Sequence, residues 1–142
     1  MAGFIPNEGL ALRANLVWKR VLTDRDATLE LGLFTNSAPG MSITEASITE
    51  PTGTGYARKT LTDASWSGPT SGAVAYAAQE FVAGSGGWSG SIQGYFIASV
   101  SSGGSQRILA IEVDENGPYT LNEDDTYTIT PNITELTENE PV

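Results

Sequence analysis

Two short stretches gather the side chains most able to do chemistry: Asp114-Glu115-Asn116-Gly117 and Asn122-Glu123-Asp124-Asp125. Carboxylate and amide oxygens on neighbouring loops are what a hard cation such as calcium needs, at roughly six to eight ligands per ion. Neither stretch has the spacing of a calcium loop, and Asp, Asn and Gly are also ordinary hairpin-turn residues. Both read as solvated turns, with cation binding left open. A glycosidase would need two carboxyl groups about 5–9.5 Å apart, but nothing singles out such a pair among the 17 acidic residues. The run Gly84-Ser85-Gly86-Gly87-Trp88-Ser89-Gly90 superficially resembles a phosphate loop. It contains no Lys, so it reads as a flexible turn.

The residue types that are missing narrow the chemistry further. The chain has neither His nor Cys. A Ser-His-Asp triad, an imidazole base, a thiolate nucleophile, a disulfide and a Cys- or His-ligated metal are therefore excluded. No enzyme activity and no cofactor are expected, and no catalytic or metal-binding residue is assigned. What remains is chemistry by contact. Tyr56 and Arg58 follow Gly55 in Thr54-Gly55-Tyr56-Ala57-Arg58 and are residue types favoured at interfaces. Trp66 and Trp88 sit at turn–strand borders, where core and interface roles weigh equally. Tyr56, Arg58, Trp66 and Trp88 are the candidate partner-contact residues.

These residues are carried by short strands. A helix is expected first, with Asn7 as N-cap and Glu8 in its first turn. Leu10, Ala14, Val17, Trp18 and Val21 form its apolar stripe, which places Trp18 in the core. Gly9 weakens the helix start, and Thr23–Asp26 ends it. From Ala27 the period drops to two: Leu29, Leu31 and Leu33 alternate with Glu30, Gly32 and Phe34. Ser42-Ile43-Thr44-Glu45 fits a capping box for a short helix over 43–47. Further strands are expected over 56–62, 73–82, 88–100, 107–113, 119–121 and 126–130, the last extending to 133–136. In 107–113, Ile108, Ala110 and Glu112 oppose Leu109, Ile111 and Val113. Residues 50–55, 63–72 and 101–105 read as connections.

One helix followed by seven or eight strands at roughly ten-residue spacing is the pattern of a mainly β, antiparallel β-sandwich or jelly-roll. The division is an N-terminal arm and helix over 1–25, a β-sandwich domain over 26–136 and a C-terminal tail over 137–142.

Charge adds a direction. With 7 Lys plus Arg against 17 Asp plus Glu, the formal net charge is −10. Nucleic acid is a poor partner for such a chain, because phosphate contacts rely on several cations. No apolar run approaches the ~20 residues that span a bilayer, and no secretory signal opens the chain, so no membrane partner is expected. Six of the 7 cations lie in the first 59 residues, while no cation follows Arg107. The excess acid reads as a solvated face, or as a surface that meets the basic N-terminal part of a neighbour.

The order of motifs carries a resemblance. Pro6-Asn7-Glu8-Gly9 opens a helix, Leu31-Gly32-Leu33-Phe34-Thr35-Asn36 ends in a turn, and Thr49-Glu50-Pro51-Thr52 leads to Thr54–Arg58. Gly94-Tyr95-Phe96-Ile97 and Asp125-Thr126-Tyr127-Thr128-Ile129-Thr130-Pro131 follow. The chain resembles small virion structural proteins of tailed bacteriophages, of the capsid decoration (cement) type. That resemblance implies a β-sandwich or jelly roll that assembles as a trimer. It implies binding to the major capsid protein on the capsid surface where hexamers meet, which locks the expanded shell. It implies no catalysis. The alternative is a tail or fibre-tip protein that binds a receptor or carbohydrate.

Overall fold

Strand β2 (Thr28–Phe34) is the clearest product of the sequence, because its period of two puts large apolar groups on both sides of one sheet. Leu31 and Leu33 face one cluster of buried side chains and Phe34 faces another, and all three are fully buried. A computed structural model describes residues 2–14, 18–19, 28–70, 73–100 and 106–134 of the 142-residue chain. The expected end of the helix beyond residue 19, the loop 101–105 and the tail 137–142 lie outside the described residues.

The molecule is mainly β with antiparallel sheets and one N-terminal helix. In chain order the elements are β1 (Ala2–Phe4), α1 (Asn7–Ala14), β2, β3 (Lys59–Leu61), β4 (Trp66–Thr70), β5 (Ala73–Tyr76) and β6 (Gln79–Val82). β7 (Gly94–Val100), β8 (Gln106–Val113), β9 (Thr126–Ile129) and β10 (Asn132–Thr134) follow. The large sheet runs β1-β8-β7-β2-β3, and two smaller sheets run β10-β5-β4 and β6-β9. Tyr95 and Ile97 of β7 join Leu31 and Leu33 in one cluster with Phe81, Ile129 and Trp88. Phe96 and Ala98, one residue out of phase, join Phe34, Ile108 and Ile111 on the other face, where Phe4, Ile43 and Ile48 cover them.

The strand expected over 88–100 begins only at Gly94, Tyr119–Leu121 carries a single isolated bridge, to Ile92, and the last expected strand is split into Thr126–Ile129 and Asn132–Thr134 in different sheets. Five further elements differ from expectation, each for a physical reason. Ile108 and Ile111 share a face although they stand three positions apart, because the β7–β8 register shifts between Ile97 and Ala98. The bulge adds one residue to β8 and resets its alternation. The expected strand 73–82 is two strands in different sheets, parted at Ala77-Ala78. Residues 66–70, expected as a connection, form β4 despite Gly68 and Pro69. β4 lies at the edge of its sheet, where a residue without an N–H is tolerated. The capping pair is Thr44 and Ser47 rather than Ser42 and Glu45: Ser47 Oγ accepts from the Thr44 N–H at 3.0 Å and closes a 3-10 turn over Glu45–Ser47.

The helix is the fifth. Its buried residues are Gly9 and Leu12, while Leu10 is 44% exposed and Trp18 83% exposed. Leu10, Ala14 and Trp18 of the expected stripe therefore do not enter the core. Gly9 decides the orientation. A Cβ there would stand 2.7 Å from the Ile108 carbonyl oxygen and 2.8 Å from that of Leu109, so the bare backbone lies directly on β8. Glu8 fixes the same face by accepting hydrogen bonds from the Ile108 and Glu45 N–H groups.

Candidate functional site

Around Arg58 the structure collects three carboxylates from three separate segments. Glu50 comes from the loop before buried Pro51, Glu45 from the 3-10 turn and Glu30 from β2. Arg58 Nε and one terminal nitrogen both donate to Glu50 Oε1, at 2.9 and 2.6 Å. That terminal nitrogen also donates to Glu45 Oε1 at 2.8 Å. The other donates to Gln106 at 2.9 Å and lies 3.6 Å from Glu30. The guanidinium carbon stands 5.0 Å from the centre of the Phe96 ring, a cation–π contact on one core cluster.

The second oxygen of Glu50 accepts from the Tyr56 hydroxyl, which in turn accepts from the Leu33 N–H at 3.0 Å. Tyr56 packs edge-on against Trp88, with ring centres 5.3 Å apart, and stacks over Phe81. One polar chain, Leu33–Tyr56–Glu50–Arg58, thus ties the cluster on one face of the large sheet to the cluster on the other. Burial pushes the Tyr56 phenol well above its ordinary range, and the Glu50 carboxylate adds to the shift. Burial disfavours the charge on Arg58, but the hydrogen bonds and charges of Glu50 and Glu45 outweigh it and hold the guanidinium firmly protonated.

The contact candidates therefore part company. Tyr56 and Arg58 are brought together and spent on partners within the chain, and the Arg58 side chain is 16% exposed. Trp88 is 5% exposed, and its indole N–H donates to the Thr54 carbonyl at 2.9 Å. It is a core residue. Trp66, half-buried, stands apart on β4 and meets Tyr76 edge-on at 5.1 Å. Sequence reasoning missed Glu30, Glu45, Glu50 and Gln106. An acid before Pro51, a short distance ahead of Tyr56 and Arg58, was the one local signal for Glu50.

The two acidic turns are brought to one place. Asp114 and Asp125, with Tyr119, Thr126, Tyr127 and Thr128, line an open groove of about 430 Å³. Asp114 accepts from the Asn116 N–H at 3.0 Å and from the Tyr127 hydroxyl at 2.8 Å. Asp125 Oδ2 accepts from the backbone and side-chain amides of Asn122 at 2.8 and 3.2 Å. Burial raises the Tyr127 phenol above its ordinary value, and Asp114 raises it further, so the ring stays neutral. Among the described residues no group of three or more His, Cys, Asp or Glu forms a metal-holding cluster. No helix among them is long and apolar enough to cross a membrane. Comparison of the chain with protein-family models, with curated proteins and with solved structures finds no match.

Proposed function

We propose that the chain is a structural virion protein that works by contact, binding the outside of a phage capsid as a decoration protein and stabilising the shell. The large sheet and the two smaller sheets are read as the layers of a β-sandwich, because Leu31, Leu33 and Ile97 share one cluster with Phe81, Tyr76 and Ile129. The observation that carries the proposal is Trp18. It is 83% exposed next to Lys19, on the N-terminal segment that also exposes Leu10 and, hydrogen-bonded nearby through Asn7, Met41. A tryptophan is among the residues that most often anchor a protein interface, and its exposure in the lone chain suits a surface covered on assembly. Homo-oligomerisation, with a trimer favoured, and the major capsid protein as partner are parts of the same proposal.

The test is mass measurement in solution followed by co-sedimentation with expanded and unexpanded empty shells of the parent phage. Selective binding to expanded shells, weakened at least tenfold by Trp18→Ala without a change in melting temperature, supports the proposal. A monomer that ignores both shells overturns it. The second reading, a tail or fibre-tip protein that binds a receptor or carbohydrate, is favoured by the open groove between the acidic turns.

A further inference from the structure

We infer that the groove between the acidic turns binds a neutral saccharide, recognised through its hydroxyl groups. The inference names a ligand class for the groove of the second reading. It does not depend on whether the protein sits on the head or the tail, and shell binding and sugar binding are measured separately.

The groove's polar atoms divide into bonded and unbonded sets. Asp114 has both oxygens engaged, by Asn116 and Tyr127, which fixes one wall. Asp125 receives both Asn122 bonds on Oδ2, so its Oδ1 meets no donor among the described residues. The hydroxyl of Tyr119, another lining residue, also makes no hydrogen bond there. An acceptor-only carboxylate oxygen and a phenol that both donates and accepts are complementary to a polyol, whose every hydroxyl is both donor and acceptor. The Tyr119 and Tyr127 rings, with centres 5.4 Å apart, supply apolar surface for the C–H face of a sugar ring.

Charge selects among ligands. No cation lines the groove and two carboxylates do, so an acidic sugar or a phosphate is repelled. A cationic ligand would find Asp114 already engaged by two donors and would leave the Tyr119 hydroxyl unmatched. The volume, about 430 Å³, falls in the lower part of the roughly 300–1,000 Å³ range of small-ligand sites and suits a short oligosaccharide.

The experiment is a glycan array of neutral, sulfated and sialylated oligosaccharides probed with the full chain, then titration calorimetry with the strongest neutral glycan. A lysine-rich peptide is the control. Binding to a neutral glycan that falls at least tenfold in Asp125→Asn and in Tyr119→Phe, with unchanged melting temperatures, supports the assignment. Asparagine keeps an acceptor for the Asn122 amides and phenylalanine keeps the ring, so both variants retain the fold. Absence of neutral-glycan binding overturns the inference, as does preference for acidic glycans or for the peptide. Neutral binding that survives both substitutions overturns the groove as its place.

Discussion

Arg58 and Asp125 each sit in a cluster of polar side chains, and the two clusters are built on opposite terms. The Arg58 cluster is closed. Its donors meet Glu50, Glu45 and Gln106, its ring contact is Phe96, and Tyr56 extends the chain of bonds into the sheet. The groove at Asp125 is open, with a carboxylate oxygen and the Tyr119 hydroxyl unmatched. Polar groups satisfied inside a fold stabilise or specify it, whereas polar groups held in place but unsatisfied are available to a ligand. The residues that looked most like contact residues in the sequence belong to the first kind.

The strongest way to break that contrast is Arg58→Met. Its removal leaves Glu50 and Glu45 facing each other half-buried without their common cation, a change that typically costs about 3–5 kcal/mol. Urea melts are expected to show a loss of about 3 kcal/mol or more. A loss under about 1 kcal/mol would mean the cluster is as dispensable as an exposed ion pair. Arg58→Lys is also expected to destabilise, because one ammonium cannot reach the four side chains that the planar guanidinium serves.

Gly9→Ala comes next. The added methyl meets two backbone carbonyls rather than a flexible side chain, so α1 has to lift from β8. A cost of about 1–3 kcal/mol is expected, as for overpacking elsewhere. Hydrogen exchange at the Ile108 amide, which Glu8 protects, should speed up in parallel. Unchanged exchange would show that the helix does not depend on the bare backbone at Gly9.

That glycine also marks where the sequence was legible and where it was not. β2 follows from the apolar pattern, and so does β7 apart from its start, expected at Trp88 and found at Gly94, since a sheet buried on both faces needs apolar residues at both parities. The helix was legible as a helix, but its buried side was misread. Periodicity weighs Leu10 and Trp18 by their hydrophobicity and gives Gly9 none, yet close backbone approach is what seats the helix. The bulge in β8 is invisible to a strict period of two, and β4 hides behind a Gly-Pro pair that only an edge position excuses. Tyr56 and Arg58 were legible as special, but not their role. Their partners come from four segments that only the folded chain brings together. The groove shows the reverse: both acidic turns were read as turns, and their meeting across Tyr119 and Tyr127 was not readable.

Alkali offers a milder probe. Tyr56 beside Glu50, Tyr95 beside Glu112 and Tyr127 beside Asp114 are all held above the ordinary phenol value, by burial first and by their carboxylates second. In the unfolded chain these phenols titrate near pH 10. Above that pH the unfolded state releases protons that the folded state keeps, so stability that is complete below about pH 10 declines as pH rises. The slope is at most ~1.4 kcal/mol per pH unit for each phenol. Tyr76 shifts the other way because Thr62 donates to its hydroxyl, which offsets a part. Urea melts between pH 8 and 11 should show the decline, and Tyr56→Phe should flatten it by one proton. A slope unchanged in that variant would remove Tyr56 from the closed cluster.

The smallest expected effect is the sharpest, because the same substitution can be made in both regions. At neutral pH, Tyr56→Phe deletes a hydroxyl that donates to Glu50 and accepts from Leu33, and a cost of about 1.5–3 kcal/mol is expected for a bond to a charged group. Tyr119→Phe deletes a hydroxyl with no partner among the described residues while keeping its ring against Tyr127, and should change stability by no more than about 0.5 kcal/mol. Parallel urea melts of the two variants decide it. If both cost the same, the groove is as internally committed as the Arg58 cluster and the Tyr119 hydroxyl is not held in reserve. If they differ as expected, the oxygen atom at Tyr119 contributes little to folding, and what it contributes must be sought in binding.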